Sequence, residues 1–253
     1  MGLIAFPNES LLRHLEDVTE EILAHFFPKR AILLAKLLKK SYNEADLESI
    51  RRAALYTGIF HDVGKAYEPF QKMLKQKGKA PRHEIFSTFF SNKVLTKMDG
   101  NLKTIVLLAI AWHHYPTRGM IFERIGRTTS EYLQIDSVEL DRNSREELFK
   151  ILNNIFAKFK CGEEVTISNI PEEISRDDAE KLLDDLGKSI RGERKCSYRT
   201  YSATIPLLAV LQIADIKVSF KNRGSEKVPP IYIEDITDLN AKKRIIKILQ
   251  ECE

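Results

Sequence analysis

A histidine and an aspartate stand side by side in the stretch GIFHDVGKAYEPF, which covers residues 58–70. His61 precedes Asp62 at the end of an apolar run, and Lys65 follows four residues after the histidine. Ordinary packing gives no reason to bury an imidazole beside a carboxylate, whereas divalent Mn, Fe, Co, Ni and Zn take both as ligands. Lys65 lies one helical turn from His61 and could reach a substrate phosphate, although many helix-end lysines are only solvated. The stretch therefore indicates a metal site that acts on phosphates.

The remaining histidines strengthen this interpretation. His14 lies in an amphipathic helix, His83 begins another helix, and His113 and His114 are adjacent at the end of an apolar one. One such histidine alone is more often a hydrogen-bonded core residue than a ligand. The whole set, combined with aspartates in apolar segments, is typical of a metal cluster.

His61 and Asp62 could stand beside a site for two ions. Adjacent residues on a helix diverge by about 100°, so His61 and Asp62 cannot both point straight at one ion. They can instead flank a site in which a carboxylate bridges two ions, with one oxygen on each. His113 and His114 could complete the ligands of the second ion from a neighbouring helix.

Asp215 is the other informative carboxylate. It lies in the apolar run LLAVLQIADIKVSF, where an unpaired charge would destabilise the protein by several kcal/mol. A metal ion would provide the missing cation. Ser219 follows at i+4 on the same helical face and is either a substrate contact or a residue that bonds its own backbone.

The elements that must position these residues are helical, so the expected fold class is all-α. Ser10 is a suitable N-cap for a first helix, and Pro28 for the first turn of a second. The third predicted helix carries His61 and Asp62 at its C-terminal end, with Gly64 as its stop. Residues 117–200 are expected to be an insertion with polar helices at about 143–159 and 173–190.

The rest of the predicted organisation is simple. The run PPIYIEDITDL favours one short strand near the C-terminus, and NAKKRIIKILQE favours a last helix. We expect residues 1–253 to form one domain, since the chain shows no repeat and no Gly/Ser linker.

Composition and segment patterns indicate the cellular compartment of the protein and the kinds of partner that it could bind. No apolar run reaches about 18 residues, and the N-terminus lacks a basic and an apolar region, so we expect no membrane span and no signal peptide. Three scattered cysteines form neither a disulfide framework nor a CxxC site, which favours free thiols in a cytoplasmic protein. The net charge of +4 permits an anionic partner without requiring one.

The motifs LLRHLEDV, GIFHDVGKAYEPFQ, RHEIFS, AWHHY and IADIKVS follow in order over residues 11–219. This pattern resembles the HD-domain phosphohydrolase superfamily. Within it, the chain is similar to the HD nuclease of type I CRISPR systems, in the branch where that nuclease is a separate subunit. The resemblance implies an HD-domain helical bundle.

The resemblance also implies the roles of single residues. One ion would be held by His14, His61, Asp62 and Asp215, and the second by Asp62, His83, His113 and His114. Asp62 and Lys65 would be catalytic, with Lys65 a phosphate contact or general acid. His25 matches no position of the family pattern and is interpreted as structural. Asp17 and Glu84 are candidates for orienting the ligand histidines.

The implied activity is hydrolysis of phosphodiester bonds in single-stranded DNA, with RNA left open, by a water that two metal ions activate. Mn²⁺ or Mg²⁺ are the first expectation, and Fe²⁺, Co²⁺, Ni²⁺ or Zn²⁺ are alternatives. Endonuclease and exonuclease activity both stay open. The sequence contains no GxxxxGK[ST] motif. The resemblance therefore implies a separate CRISPR helicase and an RNA-guided targeting complex as partners in antiviral defence.

Basic segments near the ligands suggest where nucleic acid binds. Arg82 precedes His83 and Arg118 follows the histidine pair, and such loops could track a phosphate backbone, although basic loops are often only solvated. With Ser219 and Lys65, these arginines are the predicted substrate-binding residues. Aromatic residues near the ligands could stack on bases, namely Tyr67, Trp112, Tyr115 and Tyr198.

Two other functions fit the same residues. The first is an HD phosphohydrolase that acts on small or cyclic nucleotides in a closed pocket. The second is a metal-stabilised helical module without activity that helps to assemble a complex. The full ligand set argues against the second alternative, and the basic loops argue modestly against the first.

Overall fold

The structure, a computed structural model, describes residues 2–26, 29–38, 44–77, 80, 82–114, 135–161, 165–191 and 195–222. In chain order the helices are α1 (Leu11–Phe26), α2 (Lys29–Leu37), α3 (Glu44–Phe60), α4 (Glu68–Lys77), α5 (His83–Val94), α6 (Gly100–Trp112), α7 (Arg142–Phe159), α8 (Arg176–Arg191) and α9 (Lys195–Asn222). Short 3₁₀ turns cover Val63–Ala66 and Ile167–Asn169. The prediction of an all-α fold is confirmed.

Four short strands accompany the helices. β1 (Ile4–Phe6) pairs with β2 (Glu9–Ser10), and β3 (Ser137–Glu139) pairs with β4 (Glu173–Ser175), both antiparallel. The sequence did not predict them, because strands of two or three residues are too short to show an alternating pattern. The predicted C-terminal strand and last helix lie outside the described residues.

The helices of the core bring the ligand-bearing segments together. α1 packs against α3 and α9, and α6 packs against α9, α5 and α3. A Cβ atom at Gly58 would lie 2.7 Å from Thr19 Oγ1 and 3.0 Å from Thr19 Cα. The absence of a side chain at Gly58 therefore lets α1 and α3 approach closely, which places His14 beside His61.

The end of α3 differs from the prediction. The helix stops at Phe60, and His61 and Asp62 form a turn before the 3₁₀ segment. Gly64 is not a left-handed helix stop. It is required by close packing, since a Cβ there would lie 2.3 Å from His83 O. Because the turn departs from helical geometry, the adjacent His61 and Asp62 side chains converge on one cluster.

The polar helices predicted after residue 117 correspond to α7 and α8. Residues 173–175 are strand rather than helix, since Ser175 caps α8: its Oγ accepts from Asp178 N at 3.1 Å and donates to Asp178 Oδ2 at 2.8 Å. Apolar side chains of α7, such as Leu148 and Ile155, belong to the buried cluster of the bundle. The single domain over residues 1–253 stays a prediction.

One helix tests the expectation that no segment spans a membrane. Within the described part of the chain, Thr200–Asn222 is long and apolar enough to cross a bilayer by length and composition alone. Just over half of its most apolar window is buried inside the protein. The same helix carries Asp215 into the metal cluster described below. A core helix of a helical bundle meets the same criterion.

Candidate metal centre

The first cluster joins three separate parts of the chain. His14 comes from α1, His61 and Asp62 from the turn after α3, and Asp215 from α9. His14 Nε2 lies 3.0 Å from Asp62 Oδ2 and 3.4 Å from Asp215 Oδ1. His61 Nε2 lies 3.6 Å and 3.9 Å from the same two oxygens. Two imidazoles and two carboxylates therefore face one point.

The second cluster shares Asp62. His83 Nε2 lies 2.6 Å and His113 Nε2 lies 3.5 Å from Asp62 Oδ1. His114 Nε2 lies 3.2 Å from His83 Nε2. His83 begins α5, and the histidine pair follows the last residue of α6. The structure thus assembles both predicted ligand sets, with different oxygens of Asp62 facing the two clusters.

The orientation of the histidines suits metal binding. Nδ1 of His61 donates to Gly58 O at 2.8 Å, Nδ1 of His113 to Ile110 O at 2.6 Å, and Nδ1 of His83 to Ala80 O. A carbonyl oxygen can only accept, so in each neutral ring the proton sits on Nδ1 and the lone pair of Nε2 is free to bind a cation. Nδ1 of His14 donates instead to the Glu9 carboxylate at 2.9 Å.

The buried Nε2 atoms provide a test of whether a metal fits. Within the described part of the chain, Nε2 of His14, His61 and His113 is buried and has no hydrogen bond of good geometry. Buried polar nitrogens normally find a partner. Each faces carboxylate oxygens that would share a divalent ion, and nitrogen and oxygen donors together suit such an ion. The residues therefore fit a metal centre.

The orienting residues expected from the sequence were wrong. Asp17 accepts from Asn222 Nδ2 at 3.3 Å and pairs with Arg13 at 3.6 Å. Glu84 Oε2 lies 3.9 Å from His83 Nδ1, too far for a hydrogen bond. Glu9 was missed, because only the β1–β2 hairpin brings it beside His14, and neither short strand was visible in the sequence.

Both carboxylates are held in their charged form. Burial alone raises the pKa of Asp62, but the charges of Lys65 and the neighbouring histidines hold it well below its usual value. Burial likewise raises the pKa of Asp215, and the adjacent His14 lowers it below its ordinary value. Two negative charges thus persist in the buried centre, which attracts cations.

Four of the ligand histidines divide into two groups by the direction in which the protein shifts their pKa. Burial lowers the pKa of His61 to about 4. Desolvation by the surrounding protein, with the charges of His113 and His83, lowers the pKa of His114 well below 6.5, although part of the His114 surface is exposed. Burial also acts to lower the pKa of His14, but its neighbouring carboxylates raise it well above 6.5. The pKa of His113 is raised in the same way, mainly by Asp62. These raised pKa values favour protons on the two rings when no metal is bound, and a metal ion would compete with those protons.

The other predicted site residues lie at different distances from the centre. Lys65 is buried and its ammonium forms an ion pair with Asp62 Oδ2. Ser219 Oγ donates to Asp215 Oδ1 at 3.3 Å. Arg82 has a left-handed backbone (φ 66°) directly before His83, and its guanidinium lies 3.8 Å from the Glu84 carboxylate. Arg118 lies outside the described residues.

His25 lies apart from both clusters. It is about half exposed, with its Nε2 2.9 Å from Glu21 Oε2 and 3.0 Å from Lys217 Nζ. This surface position agrees with the structural role predicted for it.

Two of the aromatic residues proposed for base stacking are in the core. Tyr67 is fully buried and its hydroxyl donates to Pro171 O at 3.1 Å. Trp112 is 2% exposed and packs edge-on against Tyr201. Neither offers a free ring face to a base, so the stacking prediction is wrong for both. Tyr115 and the Tyr198 side chain lie outside the described residues.

An all-α bundle with two His/Asp clusters around a shared aspartate defines a metal-binding domain of the HD type. A family model described as "Cas3, HD domain" matches residues 7–166, and the chain belongs to this family. It is therefore a CRISPR-associated HD domain, and HD domains are metal-dependent hydrolases. Asp215 lies beyond the matched residues and reaches the site only through the packing of α9.

Comparison with solved structures supports the fold. The chain is similar to the CRISPR-associated Cas3 HD domain protein MJ0384 from Methanocaldococcus jannaschii, with 21% identity and a TM-score of 0.53. The similarity covers 83% of this chain and 99% of that one. No curated protein matches the chain.

Proposed function

We propose that this protein is a metal-dependent nuclease that hydrolyses single-stranded DNA with two divalent ions during CRISPR interference. The observation that carries the proposal is that the two oxygens of the Asp62 carboxylate face different ligand sets. Oδ2 lies 3.0 Å from His14 Nε2, and Oδ1 lies 2.6 Å from His83 Nε2. A carboxylate shared in this way is what a pair of adjacent ions needs. The family supports the CRISPR setting, with a separate helicase and an RNA-guided targeting complex as proposed partners.

The two ligand sets would hold one ion each, the first between His14, His61, Asp62 and Asp215, the second between Asp62, His83, His113 and His114. When bound, two divalent ions activate a water and offset the charge of a phosphodiester. Mn²⁺ or Mg²⁺ are the first candidates for this role.

The exposure of the ligands suggests the direction of substrate approach. His14, His61 and Asp62 are at most 1% exposed, whereas His114 is exposed. Substrate would therefore reach the centre from the side of His114. Lys65, held at the Asp62 carboxylate, would contact the scissile phosphate or protonate the leaving oxygen. Arg82, next to His83, would contact the phosphate backbone of the DNA.

A nuclease assay tests the proposal. Labelled single-stranded DNA is incubated with the protein across a panel of divalent ions, with a chelator control. We expect metal-dependent cleavage that Asp62→Asn reduces to background and that falls steeply with salt, since phosphate contacts release counterions. His25→Ala, a histidine on the same helix as His14 but outside the site, is the matched control.

Three substrates separate the alternatives. Cleavage of circular single-stranded DNA would identify an endonuclease. Hydrolysis of nucleoside monophosphates or cyclic dinucleotides without DNA cleavage would favour the small-nucleotide phosphohydrolase instead. Full DNA cleavage by Asp62→Asn would reject the site.

A further inference from the structure

Glu9 lies buried behind the metal centre, with 4% of its surface exposed. Its Oε1 accepts from His14 Nδ1 at 2.9 Å. The same oxygen accepts from Asn222 Nδ2 at 2.6 Å, at the end of α9. Glu9 therefore connects the helix that carries His14 with the helix that carries Asp215.

The backbone around Glu9 is held firmly. Glu9 pairs with Phe6 across the β1–β2 hairpin. The side chain of Gln71 accepts from Ile4 N at 3.1 Å and donates to Ile4 O at 2.8 Å. It also donates to Lys65 O at 2.7 Å. The hairpin is thus attached to the segment that follows Asp62, which gives the Glu9 carboxylate a defined place.

His14 differs from the other oriented ligands. The Nδ1 atoms of His61, His83 and His113 donate to neutral backbone carbonyls, whereas His14 donates to a carboxylate. A charged acceptor makes an imidazole a stronger metal ligand and fixes its ring, and loss of such an acceptor typically weakens metal binding about 10- to 100-fold.

We propose that Glu9 is a positioning residue that selectively strengthens the first metal site through His14. This inference rests on the proposed two-metal function. It predicts that a change at Glu9 weakens one of the two ions and leaves the other in place.

The test is a Mn²⁺ titration of the whole chain, with free Mn²⁺ followed by electron paramagnetic resonance. Glu9→Gln keeps the shape and the acceptor oxygen but removes the charge, and Glu9→Leu removes both. We expect about 10-fold weaker binding of one ion in the first variant and about 100-fold in the second. Circular dichroism of the metal-free variants checks that they are folded.

Glu21→Gln is the matched control. Glu21 is also on α1 and also pairs with a histidine, His25, at 2.9 Å, but both are on the surface. The Glu21→Gln variant should bind two Mn²⁺ ions with the affinities of the wild type. Wild-type affinity at both sites in Glu9→Gln and Glu9→Leu would overturn the inference while leaving the nuclease proposal intact. Equal weakening of both ions would also overturn it, by showing a general structural role. A wild-type chain that binds no Mn²⁺ would instead refute the two-metal function and the role of Glu9 with it.

Discussion

Gly64→Ala should damage the metal centre although residue 64 carries no ligand. A Cβ at this position would lie 2.3 Å from His83 O and 2.8 Å from both N and Oγ of Ser87. Ordinary contacts of a Cβ begin at 3.4 Å, so the Asp62 segment and α5 must separate by about 1 Å. The atoms in the way are mostly backbone, which cannot rotate aside.

The expected losses of stability and catalytic rate follow from the contacts that this separation disturbs. Overpacking of this kind destabilises by about 1–3 kcal/mol. Loss of the hydrogen bond from Gly64 N to Ser87 Oγ, 2.8 Å long, adds about 0.5–1.5 kcal/mol. The Asp62–His83 contact of 2.6 Å would open by the same distance, and a misplacement of about 1 Å can reduce catalysis about 100-fold.

Three measurements check this prediction: denaturant unfolding, Mn²⁺ stoichiometry and the rate of DNA cleavage. We expect Gly64→Ala to lose about 2–4 kcal/mol of stability and to bind Mn²⁺ more weakly at the His83 side. Gly100→Ala is the control, since a Cβ there has nothing within 4 Å. Wild-type stability and metal binding in Gly64→Ala would refute the steric argument.

The remaining predictions concern the ligands and the core. His14→Ala should lose one Mn²⁺ and all DNA cleavage, whereas His25→Ala should lose neither; the same loss in both would contradict the assignment of His14. Because the pKa of His14 is raised, its stabilising charge is fully present below about pH 6.5 and is lost as pH rises through the raised value. The metal-free protein should therefore become less stable over that range while Mn²⁺ binds more tightly, with proton release measurable by calorimetry in buffers of different ionisation enthalpy. An Mn²⁺ affinity that does not change with pH would oppose this. Trp112→Ala should destabilise by about 3–5 kcal/mol in denaturant unfolding, as expected for a core residue; weaker DNA binding at unchanged stability would restore its stacking role.

The chemistry of the site was predictable because ligand types and apolar surroundings are local properties of the sequence. An aspartate in an apolar helix, such as Asp215, needs a cation wherever that helix packs. Helix-period patterns likewise located α1, α6 and α9 without any tertiary information. That Asp62 could be shared by two ions was implied by the family resemblance, and its role as a bridge stays a prediction.

The partners of the ligands were not predictable in the same way. Glu9 lies five residues before His14, and its bond depends on a hairpin of two very short strands. Glu84 is adjacent to His83 in sequence, yet the start of α5 directs His83 Nδ1 to a backbone carbonyl instead. Sequence distance therefore gave the wrong orienting groups, because hydrogen-bond geometry depends on backbone turns rather than on separation along the chain.

The sequence by itself predicted a helical protein whose histidines and aspartates in apolar segments suit metal ions. The family resemblance implied that His14 and Asp215, about 200 residues apart, hold one ion, but only the tertiary structure brings them into one cluster. Only the tertiary structure also decided that Trp112 and Tyr67 belong to the core. The physical reason is that the type of a residue sets which partner its buried side chain needs, such as a cation or a hydrogen-bond acceptor. Close packing at Gly58 and Gly64 sets which residues come near enough to be that partner.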